Sequence, residues 1–283
     1  MRVSEFSMFK NQDYAETLVK EGVVKIPFLS NEQLQKLNEF YFEMHPDDDL
    51  PALYDGIHMT IWHSDLEYKF KIRDNIKLII AKAFEDNFLN YRALSHQFIV
   101  KKQGSVTTFP IHQDWSIVDE NKFFSLNIWI PLHDVDASNG AMWIVKGSHK
   151  IDRKIRGAGI LFPDYTKMFS ELKPFMTSYD MKAGEALIFY HSTIHGSPCN
   201  QSENSRKVVQ VSLLPKEAIK QIFFQKDEFS LLEIHYPKDD FSFEYNSIRE
   251  ESLSIPPTKH SFTTMESQKM NRIPFEEISK YLK

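Results

Sequence analysis

The chain is nearly without cysteine. Cys199 is the only one in 283 residues, so no disulfide can close within one copy, and the sequence suits a reducing compartment. Cys199 itself reads as a small packed residue in a turn rather than a nucleophile. Glycine is scarce as well, and six of the nine fall between Gly140 and Gly196, which marks that stretch as the place of turns and close backbone approaches. No run of apolar residues is long enough for a membrane span. Met1 to Lys20 carries Glu5, Asp13 and Glu16 and no apolar stretch of signal-peptide type, so a cytoplasmic location is expected. Positive charge is not in excess: 34 Lys and Arg against 39 Asp and Glu leave a net charge of −5, which argues against a general nucleic-acid binder. No internal repeat or low-complexity segment appears. What remains, 42% apolar and 26% charged residues, is a soluble globular composition long enough to bury a sizeable core.

The texture changes twice along the chain. Residues 11 to 90 are read as mostly helical. Ser30, Asn31, Glu32 and Gln33 form a capping-box pattern ahead of Leu34, Leu37, Phe40 and Tyr41, which share one helical face, and Ile72, Ile76, Ile79, Ile80 and Ala83 repeat that spacing. Val23 to Pro27 reads as a short strand closed by proline. From Tyr91 to Leu214 the pattern is β, with strands expected at 94 to 101, 123 to 131, 141 to 145, 175 to 181, 185 to 190 and 207 to 214. Leu126, Ile128 and Ile130 alternate with Asn127 and Trp129, so one face packs on core and the other can line a pocket. The fold class is α+β with a mainly antiparallel, double-layered β core. Residues 1–215 are assigned to that domain and 216–283 to a more charged C-terminal extension packed on it, with Ile255-Pro256-Pro257 as a break.

Chemistry gathers at His112-Gln113-Asp114, at His195 and at Arg206, eleven residues after His195. Two imidazoles and a carboxylate are the ligand set of a non-haem Fe(II) site with open coordination positions. An arginine trailing the second histidine adds a planar fork of donors that can clamp the far carboxylate of a 2-oxo acid. His112 and Asp114 are expected on one side of a strand, because positions i and i+2 share a face. His191, four residues before His195, lies in a β-rich run and makes a poor helical zinc pair.

The triplet alone says little, and its surroundings decide. Ile111 to Trp115 is followed by Phe123 to Leu132, Asn139-Gly140-Ala141-Met142-Trp143, Gly147-Ser148-His149-Lys150, Ala183 to Phe189 and His195-Gly196-Ser197-Pro198. This ordered series resembles the phytanoyl-CoA dioxygenase family of Fe(II)- and 2-oxoglutarate-dependent oxygenases from about Val23 to Leu214. The resemblance implies a double-stranded β-helix, or jelly roll, of cupin-like type, flanked by N-terminal helices. It implies that His112, Asp114 and His195 hold the iron and carry catalysis, and that Arg206 and Ser197 bind the far carboxylate of 2-oxoglutarate. Gln113 and Trp129 would line the co-substrate or iron pocket. One departure is visible, Lys146 in place of the proline that usually opens the turn at Gly147-Ser148-His149.

The implied reaction is hydroxylation of a small molecule, a metabolite, amino acid, peptide or acyl substrate, with dioxygen and 2-oxoglutarate consumed and succinate and carbon dioxide released. The presence of Asp114 favours it over halogenation, since related halogenases lack that carboxylate. The alternatives are a non-catalytic or regulatory metal-binding jelly roll and a cupin-like isomerase or hydrolase. Between Lys150 and Pro174 the sequence predicts a lid, in which Gly157 and Gly159 permit motion, Phe162, Tyr165 and Phe169 cover substrate, and Arg153 and Arg156 hold an anionic group of it.

Overall fold

A computed structural model of the chain describes residues 8–50, 56–104, 106–151, 155–162, 165–244, 261–268 and 273–282. Helix α1 (Gln12–Glu21) leads into β1 (Val23–Pro27), followed by α2 (Asn31–Met44), β2 (Ile57–Met59) and α3 (Leu66–Asn87). The capping box forms as the sequence predicts: Ser30 Oγ accepts from the Gln33 amide at 3.2 Å and the Gln33 side chain accepts from the Ser30 amide at 3.0 Å. Asp65 caps α3 without a reciprocal bond, its carboxylate accepting from the amides of Glu67 and Tyr68.

The β-rich half comprises β3 (Tyr91–Lys101), β4 (Phe109–His112), β5 (Leu126–Pro131), β6 (Met142–Val145), β7 (Ala158–Gly159), β8 (Met176–Tyr179), β9 (Glu185–Tyr190), β10 (His195–Ser197) and β11 (Arg206–Pro215), with a short α4 (Phe169–Leu172) before β8. The chain then adds β12 (Ile222–Gln225), β13 (Leu232–His235), α5 (Phe241–Glu244), β14 (Phe262–Met265) and α6 (Phe275–Ser279).

Six strands form a major sheet in the order β1-β9-β5-β11-β3-β2, and four form a minor sheet in the order β4-β10-β6-β8. All pairings within both are antiparallel. The alternation of side chains divides the two faces of the major sheet. Leu126, Ile128 and Ile130 of β5, Val209, Val211 and Leu213 of β11, and Phe98 and Val100 of β3 pack outward against Leu37, Phe40 and Tyr41 of α2 and Ile72, Ile76 and Ile80 of α3. Trp129, Leu187, Phe189 and Val208 point inward, where they meet Met142 and Ile144 of the minor sheet. This is the jelly-roll arrangement, with helices against its larger sheet. Each large aliphatic side chain buried in these layers is worth about 1.5–3 kcal/mol.

The strands of the C-terminal residues are absent from the sequence expectations. They form a third sheet, β14-β13-β12-β7, in which the parallel pair β12·β7 joins them to the segment before α4. The Gln268 side chain bonds the amide and carbonyl of Ile155, each at 3.1 Å. Ile278 of α6 buries itself among Ile111, Val145, Leu172 and Ile194 beneath the minor sheet. The break expected at 255–257 lies outside the described residues. Among the described residues no helix is long and apolar enough to cross a membrane.

Candidate metal centre

Strand β10 runs between β4 and β6, and its register sets His195 directly opposite His112. Their ring centroids lie 4.3 Å apart. Gly196 permits this approach, because a Cβ there would sit 2.9 Å from the Phe109 carbonyl oxygen. Asp114 follows just past the end of β4. One carboxylate oxygen is 3.7 Å from His112 Nε2 and the other 3.8 Å from His195 Nε2. The ligand atoms of His112, Asp114 and His195 all fall within 4.8 Å of one another, a grouping that can hold a metal ion.

The donor chemistry fits such an ion. Nδ1 of His112 is 2.9 Å from the Pro110 carbonyl, and Nδ1 of His195 is 2.9 Å from the Thr193 carbonyl. A carbonyl can only accept, so each Nδ1 carries the proton and each Nε2 turns a lone pair toward the centre. Burial first, and His112 second, push His195 down to about 4, which keeps it neutral and able to ligate. Burial opposes ionisation of Asp114, but His195 and His112 outweigh it and hold that carboxyl well below the usual carboxylate range. Two imidazoles and one carboxylate grouped in this way have the donor set of a facial triad.

Four of the expected pocket residues divide three to one. Arg206, Ser197 and Trp129 come together. The Arg206 guanidinium is buried, donates to the Gly140 carbonyl at 2.7 Å and stands 5.0 Å over the Trp129 ring. Its Nε is a buried donor with no hydrogen-bond partner among the described residues. Gln113 turns the other way: its amide donates to the Ser192 carbonyl at 2.5 Å and accepts from the Tyr165 hydroxyl at 2.9 Å. Alternation explains this, since a residue between His112 and Asp114 faces away from what they face.

Sequence reasoning missed Lys101. It ends β3 opposite Arg206 in the β3·β11 register, is wholly buried, and donates to Ser197 Oγ at 2.6 Å and to the Pro198 carbonyl at 2.5 Å. Burial, then the charge of Arg206, push Lys101 down to about 6, and burial pushes Arg206 down to about 9. Arg206 stays charged at neutral pH beside the Lys101 amine, and with no carboxylate paired to either among the described residues the two side chains form a receptor for an anion, whose charge would draw a proton back onto the lysine. No local motif announces Lys101, because only strand pairing brings it to Arg206.

The lid expectation requires correction at Arg156. Its guanidinium is buried, forms a two-pronged pair with Glu120 at 2.9 and 2.5 Å, and donates through Nε to the Asp114 carbonyl at 2.7 Å. These contacts tie it to Glu120 and to the backbone of Asp114, just past the end of β4. Gly157 and Gly159 serve close approach to β12: a Cβ would stand 2.2 Å from the Phe223 carbonyl oxygen or 2.0 Å from that of Gln225. Tyr165 and Phe169 pack beneath the minor sheet with Trp143. Arg153 lies outside the described residues.

Comparison with solved structures shows the same fold. The carbocyclase SnoK from nogalamycin biosynthesis matches with a TM-score of 0.54 at 19% identity, over 74% of this chain and 86% of that one. The epimerase SnoN, in complex with Fe3+, alpha ketoglutarate and nogalamycin RO, matches with a TM-score of 0.53 at 14% identity, over 92% of this chain and 96% of its own. Among curated proteins, the phytanoyl-CoA dioxygenase of Arabidopsis thaliana is 31% identical over 138 residues, 47% of this chain and 48% of that protein. Phytanoyl-CoA dioxygenase 1 of Oryza sativa subsp. japonica is 26% identical over 127 residues, 44% of this chain and 45% of its own. The chain thus spans about half the length of the curated relatives it matches. The family model for phytanoyl-CoA dioxygenase (PhyH) matches residues 30–208, which carry all three residues of the triad, and the chain belongs to that family.

Proposed function

We propose that this chain is an Fe(II)- and 2-oxoglutarate-dependent dioxygenase that hydroxylates a small molecule. The observation that carries the reading is the pairing of a facial triad with a buried arginine and lysine, paired to no carboxylate among the described residues, on the inner wall of the same barrel. A site for a structural metal has no use for Lys101 and Arg206. When bound, Fe(II) and 2-oxoglutarate would supply the oxidising chemistry, in which one oxygen atom of dioxygen enters succinate as carbon dioxide leaves and the other enters a C–H bond of substrate.

The chain's own part is geometric and electrostatic. His112, Asp114 and His195 would take one side of the iron. Arg206, Lys101 and the Ser197 hydroxyl would bind the far carboxylate of 2-oxoglutarate, the guanidinium supplying its unpartnered Nε and the ammonium its charge. Trp129, Leu187, Phe189 and Val208 wall the interior with apolar surface, which keeps water out and strengthens the ionic contacts. Arg156 and the His191 carbonyl, which accepts from the Asp114 amide at 2.9 Å, hold the peptide groups on both sides of the carboxylate ligand.

The test is incubation of the iron-loaded protein with 2-oxoglutarate and a metabolite extract of its source under air. A feature that gains one oxygen only when all components are present supports hydroxylation. A product lacking the added oxygen, formed with the same dependence on 2-oxoglutarate, would assign desaturation or ring formation instead.

A further inference from the structure

On the inner face of the major sheet, three buried amides form a chain that ends on the metal-ligand carboxylate. Asn127 of β5 donates from Nδ2 to Asp114 Oδ2 at 3.0 Å. Gln210 of β11 donates from Nε2 to Asn127 Oδ1 at 3.0 Å, and Gln97 of β3 donates to Gln210 Oε1 at 2.6 Å. The backbone amide of Ile61 closes the chain, 3.4 Å from Gln97 Oε1. The strand register explains the row, since Gln97 and Gln210 are direct partners across β3·β11 and Asn127 lies diagonally across β5·β11.

Each end of this chain has a fixed role. An ionised carboxylate only accepts and a backbone N–H only donates, so the orientation of all three amides is forced and each donates one N–H in the direction of Asp114, while Gln210 Nε2 also donates to Ser212 Oγ at 3.3 Å. Burial makes an unpaired amide expensive, so a flip of any member would leave polar groups unsatisfied and is disfavoured. The donor delivered to Oδ2 is therefore fixed by contacts that reach from the metal centre to the far edge of the major sheet.

We infer that Asn127 is a positioning residue for the metal: by occupying Oδ2 it leaves Oδ1 as the single oxygen that Asp114 offers, so the carboxylate fills one coordination position and not two. Two positions used by Asp114 would compete with a chelating 2-oxo acid and with dioxygen. The inference rests on the metal reading above, and its test separates the two.

Fe(II) is titrated anaerobically, with Co(II) as an air-stable probe, into the wild-type chain and Asn127→Leu by calorimetry, and 2-oxoglutarate is then titrated into the metal-free and metal-loaded forms. Loss of a hydrogen bond to a metal ligand typically weakens metal affinity or activity by roughly 10–100-fold. Expected is a weakening of that order in metal affinity, with 2-oxoglutarate binding weakened in the metal-loaded form only; the melting temperature of the metal-free protein falls as well, because the Gln210 amide loses its partner, so the titrations decide. A purely structural amide would lower the melting temperature and leave both titrations alone, which overturns the inference. Should Asn127→Leu fail to fold, Gln210→Leu decides, since it removes the donor that orients Asn127 while leaving Asn127 and Asp114 in place. Wild-type metal affinity in that variant overturns the inference equally. A wild-type chain that binds neither Fe(II) nor Co(II) overturns the metal reading itself.

Discussion

Replacing Arg206 by leucine separates a co-substrate clamp from an ordinary buried arginine. Among the described residues the guanidinium has one hydrogen bond, to the Gly140 carbonyl at 2.7 Å, a cation–π contact with Trp129 and an unpartnered Nε. Removing it forfeits the hydrogen bond, worth about 1 kcal/mol, and relieves the burial of a charge without an anion. These effects oppose each other, so the stability of the ligand-free variant is expected to stay within about 1 kcal/mol of wild type. Binding responds differently. Loss of one partner of a buried, hydrogen-bonded charge pair costs about 2–5 kcal/mol. Lys101 remains to hold the carboxylate, which places the variant at the lower end, and at about 1.4 kcal/mol per tenfold this is a roughly 30-fold weaker 2-oxoglutarate affinity. Calorimetric titration of the metal-loaded protein measures it directly. Denaturant unfolding checks it through linkage, because a 30-fold rise in Kd removes about 2 kcal/mol of ligand-induced stabilisation at saturating ligand. An unchanged titration, or a large loss of ligand-free stability with 2-oxoglutarate binding intact, refutes the reasoning.

Further outcomes follow from the same geometry. Arg156→Ala removes the two-pronged pair with the half-buried Glu120 and frees the Asp114 carbonyl, so unfolding stability should drop by about 3 kcal/mol, whereas a solvated arginine would show no measurable loss in urea. Gly196→Ala drives a Cβ against the Phe109 carbonyl, and a loss of about 1–3 kcal/mol together with weaker metal binding is expected by melting and by metal titration. Burial, reinforced by Lys77 and Arg73, pushes His96 down to about 3, so the folded chain keeps it neutral while the unfolded chain protonates it below about 6.5. Its contribution is complete above that pH and falls by about 1.4 kcal/mol per pH unit on the way down toward its folded pKa. His96→Phe should therefore lose about 2 kcal/mol less than wild type between pH 7 and pH 5 in urea unfolding, and equal losses would contradict the assignment.

The parts of this molecule that were legible from its residues are those with a local signal. The capping box at Ser30, the alternation through β5 and the ordered motifs from Ile111 to Ser197 each read out within a few neighbouring positions. The illegible parts depend on pairing between distant strands. Lys101 is one more lysine in a β run until β11 sets Arg206 against it, and Asn127 is one polar residue on a strand until Gln210 and Gln97 arrive beside it. Arg156 and its glycines imitate a mobile basic loop, because exposed and buried arginines look alike in sequence and only Glu120 and β12 distinguish them. The strands after Pro215 escaped notice because charged residues such as Lys226, Asp227 and Glu228 break up their short apolar runs.

The central claim is that this barrel couples 2-oxoglutarate to dioxygen at the His112, Asp114 and His195 site. It is tested most directly by following release of carbon dioxide from carboxyl-labelled 2-oxoglutarate with Fe(II)-loaded protein, under air and under nitrogen, in wild type and Asp114→Ala. Release under air alone, lost in Asp114→Ala with the fold retained, is the expected result. Release that is indifferent to dioxygen, or undiminished in Asp114→Ala, contradicts the account.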